Sequence, residues 1–125
     1  MIRQLLLVGL GGGIGSICRF LLSLFTHKLN LTGIFPLATF LANISGCLLI
    51  GLLIGISEKY PGPDANLKLL LITGFCGGYT TFSSFSLENI RLLEGHHYLT
   101  FVCYISGSLI AGIAAVGLGI FLSKL

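Results

Sequence analysis

The side chains of this chain that can do chemistry are hydroxyls, one amide, a guanidinium and aromatic ring edges, all set among apolar residues. Twelve consecutive residues hold most of them: Gly74, Phe75, Cys76, Gly77, Gly78, Tyr79, Thr80, Thr81, Phe82, Ser83, Ser84 and Phe85. Thr39 and Asn43 lie one helical turn apart, and Tyr104, Ser108 and Gly112 follow at i, i+4 and i+8 on one helix face. Arg19 is a cation inside an apolar stretch, where charge is expensive. The only acids are Glu58, Asp64, Glu88 and Glu94, and Glu88 falls past the glycine-rich segment. Donors without embedded acids suit an anion. N–H and O–H groups can replace its water, and the positive edge of a Phe ring can face it. A cation channel would need acidic rings or an ordered carbonyl filter. A small multidrug-type antiporter would need a carboxylate in the first apolar stretch, where this chain carries Arg19.

The elements that must position these groups are membrane spans. Hydrophobic residues make up 54% of the chain and charged residues 9%, against about 25% charge in a soluble domain. Mean hydropathy is +1.01. Four apolar stretches, 4–26, 33–57, 67–93 and 98–122, each exceed the ~20 residues that cross a ~30 Å hydrocarbon core. Residues 1–125 therefore form a single all-α, four-span domain. Asn43 and Ser108 each fall about ten residues into a span, ~15 Å by helix rise and near the bilayer centre. The third span should break between Gly74 and Phe85, because Gly, Ser and Thr are poor helix formers. Hydrocarbon tolerates irregular backbone only where protein buries it or it lines a cavity.

Plainer readings stand beside these. Asn43 can be an interhelical hydrogen bond worth under about 2 kcal/mol. Arg19 can snorkel to the interface. Phe82 and Phe85 can be ordinary packing. The glycines Gly9, Gly11, Gly12, Gly13 and Gly15 miss the G-x-G-x-x-G spacing of a dinucleotide loop but meet G-x-x-x-G, as do Gly51/Gly55 and Gly74/Gly78. Cys18, Cys47, Cys76 and Cys103 lie one per span without a C-x-x-C pair and read as small apolar packing. His27, His96 and His97 lie at span ends. Arg3, Lys59, Lys68 and Lys124 fall on one side of a four-span topology, Lys28 and Arg91 on the other. That bias leaves open a chain with both termini inside and one that inserts both ways and pairs head to tail.

Gly12-Gly13-Ile14-Gly15 with Arg19, the run Thr39 to Gly46, and the run Gly74 to Phe85 together resemble the CrcB/Fluc fluoride channel family over all four spans. The resemblance implies an antiparallel, dual-topology homodimer in the inner membrane, passively exporting fluoride through two pores and conferring fluoride resistance, with transport and no enzymatic activity. It implies that Asn43, Phe82, Phe85, Tyr104 and Ser108 line the pores. Thr39, Thr81, Ser83 and Ser84 would supply nearby hydroxyls, and Arg19 would attract anions at a vestibule. It further implies a structural Na+ at the dimer interface, held by the backbone carbonyls of Gly77 and Thr80. Fluoride, lipid and a second copy of the chain are the expected partners, and no nucleic acid is expected. The chain departs from the resemblance at Gly112, where the family pattern carries a further hydroxyl, so the polar track would be shorter or water-filled there. A small multidrug-type antiporter and a non-transporting structural membrane subunit are the alternative functions.

Overall fold

The computed structural model describes residues 1–31, 33–60 and 65–125. The expected Pro61-Gly62-Pro63-Asp64 turn, and Thr32 at the end of the first linker, lie outside the described residues. Every regular element among the described residues is helical. Helix α1 spans Ile2–Lys28, α2 Leu37–Lys59 and α6 Tyr98–Ser123. These three are long and apolar enough to cross a membrane. Between α2 and α6 lie α3 (Ala65–Lys68), a π-helical segment (Leu69–Cys76), α4 (Gly77–Tyr79) and α5 (Phe82–Glu94).

Local chemistry sets the ends. Helix α2 begins at Leu37 because Pro36 keeps Phe35 out of helical backbone, and Pro36 then offers its carbonyl to the Phe40 amide at 3.1 Å. Helix α4 stops at Tyr79. Thr80 (φ −82°, ψ 157°) and Thr81 (φ −151°, ψ 123°) are extended. Thr81 then caps α5, its Oγ1 accepting from the Ser84 amide at 3.3 Å. Asn30 and His96, at φ 52° and 58°, turn the chain out of α1 and α5.

Two pairs of closely packed helices make the body. In the first, α1 lies on the π segment and α4. A Cβ on Gly11 or Gly15 would strike the backbone of Leu70 or Phe75, and one on Gly78 would strike Gly12. In the second, α2 lies along α6, with Gly51 against Val116 and Gly119 against Leu48. Helix backbones thus touch without side chains between them, as small residues permit in lipid. Gly9 and Gly13 meet nothing, so that G-x-x-x-G pair belongs to no contact among the described residues. The cysteines are free thiols; Cys76 is buried, but Cys103 is exposed on the single chain and does not pack in its core.

Candidate functional site

The segment from Tyr79 to Thr81 is held against α2 by three residues. Asn43 Nδ2 donates to the Thr81 carbonyl at 3.1 Å, and Asn43 Oδ1 accepts from the Thr81 amide at 2.8 Å. Ser45 Oγ lies 2.9 Å from the Tyr79 hydroxyl. Gly46 packs on the Thr80 methyl, where no Cβ would fit. The amide of Asn43 therefore takes the place of a neighbouring backbone, satisfying both main-chain groups of an extended residue inside an apolar protein. One Nδ2 hydrogen remains for another acceptor.

This pairing changes the carbonyls behind it. In an unbroken helix the Thr81 amide would bond the Gly77 carbonyl and the Ser84 amide the Thr80 carbonyl. Here Thr81 gives its N–H to Asn43 and Ser84 gives its N–H to Thr81 Oγ1. Gly77 and Thr80 thus lose their helical donors, while Thr80 keeps its own side chain busy, Oγ1 donating to the Cys76 carbonyl at 2.8 Å.

The polar groups divide between two cavities. The larger, about 550 Å³, is lined by Asn43, Thr81, Phe82, Phe85 and Ser108 together with Gly77 and Thr80. The Phe82 and Phe85 rings stand 5.9 Å apart by centroid. Phe82 is 80% exposed on the single chain, so its ring is presented rather than packed. The Ser108 hydroxyl is buried without a hydrogen-bond partner among the described residues. The smaller cavity, about 320 Å³, is lined by Ser16, Arg19, Ser23, Thr39, Ser84 and Glu88. Arg19 Nε is buried and has no partner among the described residues.

Tyr104 stands between the two sets. It is fully buried. Its ring packs on Phe85 at 5.0 Å by centroid, and its hydroxyl donates to Glu88 Oε2 at 2.7 Å. Thr39 Oγ1 donates to the other carboxylate oxygen at 2.6 Å. The expectation of a donor set free of acids is therefore corrected. Helix α5 carries Glu88 one turn beyond Ser84, back over α2, so its carboxylate joins the hydroxyls. A signal was present in the sequence: Thr81, Ser84 and Glu88 stand at i, i+3 and i+7, one helix face. Ser16 and Ser23, three before and four after Arg19, were missed on the same grounds. Each of Thr39 and Tyr104 has one O–H, and both are committed to Glu88. Ser83 lies outside both cavities, within 3.2 Å of Thr81 Oγ1. Gly112 faces Cys47 and Ile44, not a polar group. Among the described residues no cluster of His, Cys, Asp and Glu is placed to hold a metal. A cation here would be held by main-chain or hydroxyl oxygen.

Comparison with known proteins matches residues 6–120 to the family described as CrcB-like protein, Camphor Resistance (CrcB). A protein of Azobacteroides pseudotrichonymphae named fluoride-specific ion channel FluC is 51% identical, over 99% of this chain and 98% of its own. Proteins of the same name from Flavobacterium psychrophilum and Phocaeicola vulgatus are 48% and 43% identical, each over 98% of this chain and 98% and 99% of theirs.

Proposed function

The chain belongs to the CrcB-like protein family, and from that premise we propose that it is a fluoride-specific ion channel, a transporter and not an enzyme. The observation that carries the reading is the large cavity. Its wall brings together two phenylalanine rings, the amide of Asn43 and the unpaired hydroxyl of Ser108. Fluoride is small and strongly hydrated, so a pore must return what water gave. Ring edges and one-proton donors do so without a fixed positive charge that would trap the ion. Arg19, beside the smaller cavity with its Nε unpaired, supplies the attraction that brings an anion to the entrance. Beyond it the ion must displace the O–H groups of Thr39 or Tyr104 from Glu88. Fluoride runs down its own gradient, and export across the inner membrane would give fluoride resistance.

The working unit in this reading is an antiparallel homodimer of chains inserted both ways. Its support is the exposure of polar mid-chain residues: Gly77, Ser45 and Ser83 are open on the single chain to differing degrees, as is Phe82. Lipid satisfies no hydroxyl or main-chain group, so a second copy is the natural cover. The Lys and Arg distribution, with weak bias, permits both orientations. A sodium ion at the centre fits the residues present. The Gly77 and Thr80 carbonyls have lost their helical donors, and hard cations take oxygen ligands. Two copies would offer four such carbonyls, and the bound charge would make the interior more favourable for an anion.

Fluoride-electrode recording of liposomes reconstituted with the purified chain tests the channel: efflux down the gradient, unaffected by an imposed Na+ gradient, is expected. Uphill fluoride movement driven by Na+ would make the protein a symporter, and no efflux would make it a structural subunit. Labelling of a C-terminal tag should find both sides of the membrane in roughly equal amounts. A single orientation would exclude dual topology.

A further inference from the structure

We infer that Asn43 is a positioning residue for the cation site: its Oδ1, by taking the Thr81 amide, is what frees the Gly77 carbonyl to serve as a ligand. This inference rests on the sodium reading above and deepens it. The pore role expected for Asn43 treats its amide as a donor to the anion. The structure shows most of that amide spent on the chain itself. Oδ1 receives the Thr81 N–H at 2.8 Å, and one Nδ2 hydrogen goes to the Thr81 carbonyl at 3.1 Å.

The consequence is a matter of counting donors. A main-chain carbonyl that already holds a good N–H is a poor cation ligand, because its dipole is partly satisfied. Thr81 has one N–H. It can go to Gly77, which continues the helix, or to Asn43, which breaks it. The choice of Asn43 leaves Thr81 extended at φ −151° and turns its amide away from α4. The neighbouring switch works the same way: the Ser84 amide goes to Thr81 Oγ1 and not to the Thr80 carbonyl. Two side chains thus divert two amides, and the two carbonyls left behind are those expected to hold sodium. Ser45 and Gly46 on the same turn of α2 seat Tyr79 and Thr80, so the diverted geometry is fixed from both sides. Asn43 reaches the cation without touching it, through Thr81 and Gly77.

The experiment compares Na+-dependent thermal stabilisation of the intact protein, purified and reconstituted with N-methylglucamine as the only cation and then titrated with Na+. The wild-type chain should gain stability in a saturable, Na+-specific way. Asn43→Leu keeps the volume but removes the acceptor, and should raise the half-saturating Na+ concentration about tenfold or more, the effect of one to two hydrogen bonds. Asn43→Asp keeps an oxygen for the Thr81 amide. It should retain Na+ stabilisation near the wild-type midpoint, and a midpoint raised as far as that of Asn43→Leu would overturn the assignment of the effect to the acceptor oxygen. Wild-type midpoints in Asn43→Leu would overturn the positioning role and leave the sodium reading intact. A wild-type chain that gains no Na+-specific stability overturns the sodium reading and this inference with it. If Asn43→Leu does not assemble, Thr81→Ala probes the same mechanism through the second carbonyl. Freeing the Ser84 amide to return to Thr80 should raise the Na+ midpoint, and an unchanged midpoint would overturn the diversion of amides as the source of the ligands.

Discussion

The two cavities meet at the first turns of α5 and do opposite things with their polar groups. In the smaller one the hydroxyl of Thr39 is tied to Glu88, which also holds Tyr104 from behind the wall, and the unpaired group is a cation, Arg19. In the larger one the polar groups are neutral, the walls carry Phe82 and Phe85, and the unpaired group is the hydroxyl of Ser108. A charge left free in a polar cavity acts at a distance and gathers ions. A neutral donor left free beside ring edges acts only on contact and selects among them. The difference lies in spacing on α5: Phe82 and Phe85 face one way, Ser84 and Glu88 another, so one helix end serves both.

The strongest way to break this comparison is to remove the ring edges. Phe82→Ile and Phe85→Ile should each lower fluoride flux at least about 100-fold, equivalent to some 3 kcal/mol along the permeation path. The branched side chain keeps much of the volume and loses the positive edge. Phe82→Ile should leave the fold of the single chain intact, because that ring is 80% exposed on it. Phe85→Ile should cost some stability through its contact with Tyr104, centroids 5.0 Å apart. Electrode-measured efflux alongside size-exclusion profiles checks both, and undiminished flux in the pair would take the larger cavity out of the path.

A smaller effect should come from the gathering charge. Arg19→Gln should reduce flux several-fold at low ionic strength, and the deficit should shrink as salt rises toward about 1 M, where the screening length falls to about 3 Å. The phenylalanine variants should show no such salt dependence, because a contact interaction is not screened in that way. A salt-insensitive loss in Arg19→Gln would place the guanidinium in the narrow path and erase the division of labour between the cavities.

Much of this arrangement was legible in the residues. The three long helices follow from hydropathy, with ends shifted by a few residues, as where Pro36 delays the start of α2 to Leu37. The gathering of Asn43 and Ser108 into one cavity was foreshadowed by their common depth. Glu88 was not, because sequence position placed it beyond the glycine-rich segment, whereas the turn at Thr80 and Thr81 folds α5 back over α2. The π-helical stretch from Leu69 to Cys76 has no signature in residue type, since Leu, Ile and Phe serve α and π turns alike. Nor does residue type reveal that the amide of Asn43 is spent on Thr81. That depends on a register between α2 and Thr81 that only the packing sets.

The smallest effects offer the sharpest contrast, because one chemical change should have opposite signs in the two cavities. Thr39→Ala removes a hydroxyl that donates to Glu88 at 2.6 Å. It leaves one oxygen of a partly buried carboxylate without its partner, and a hydrogen bond to a charged group is worth about 1.5–3 kcal/mol, so the chain should lose on the order of 1–2 kcal/mol. Ser108→Ala removes a hydroxyl that is buried and bonded to nothing among the described residues. Its desolvation was never offset, so the truncation should leave stability unchanged or raise it by up to about 1 kcal/mol. Function should separate from stability at the same site. Ser108→Ala should still lower fluoride efflux several-fold, since the group unused by the fold is the one available to the ion. Thermal unfolding in detergent and liposome efflux on the same preparations give both numbers. A Ser108→Ala chain that is less stable and conducts normally would mean that the hydroxyl belongs to the fold, and that the larger cavity selects by its rings alone.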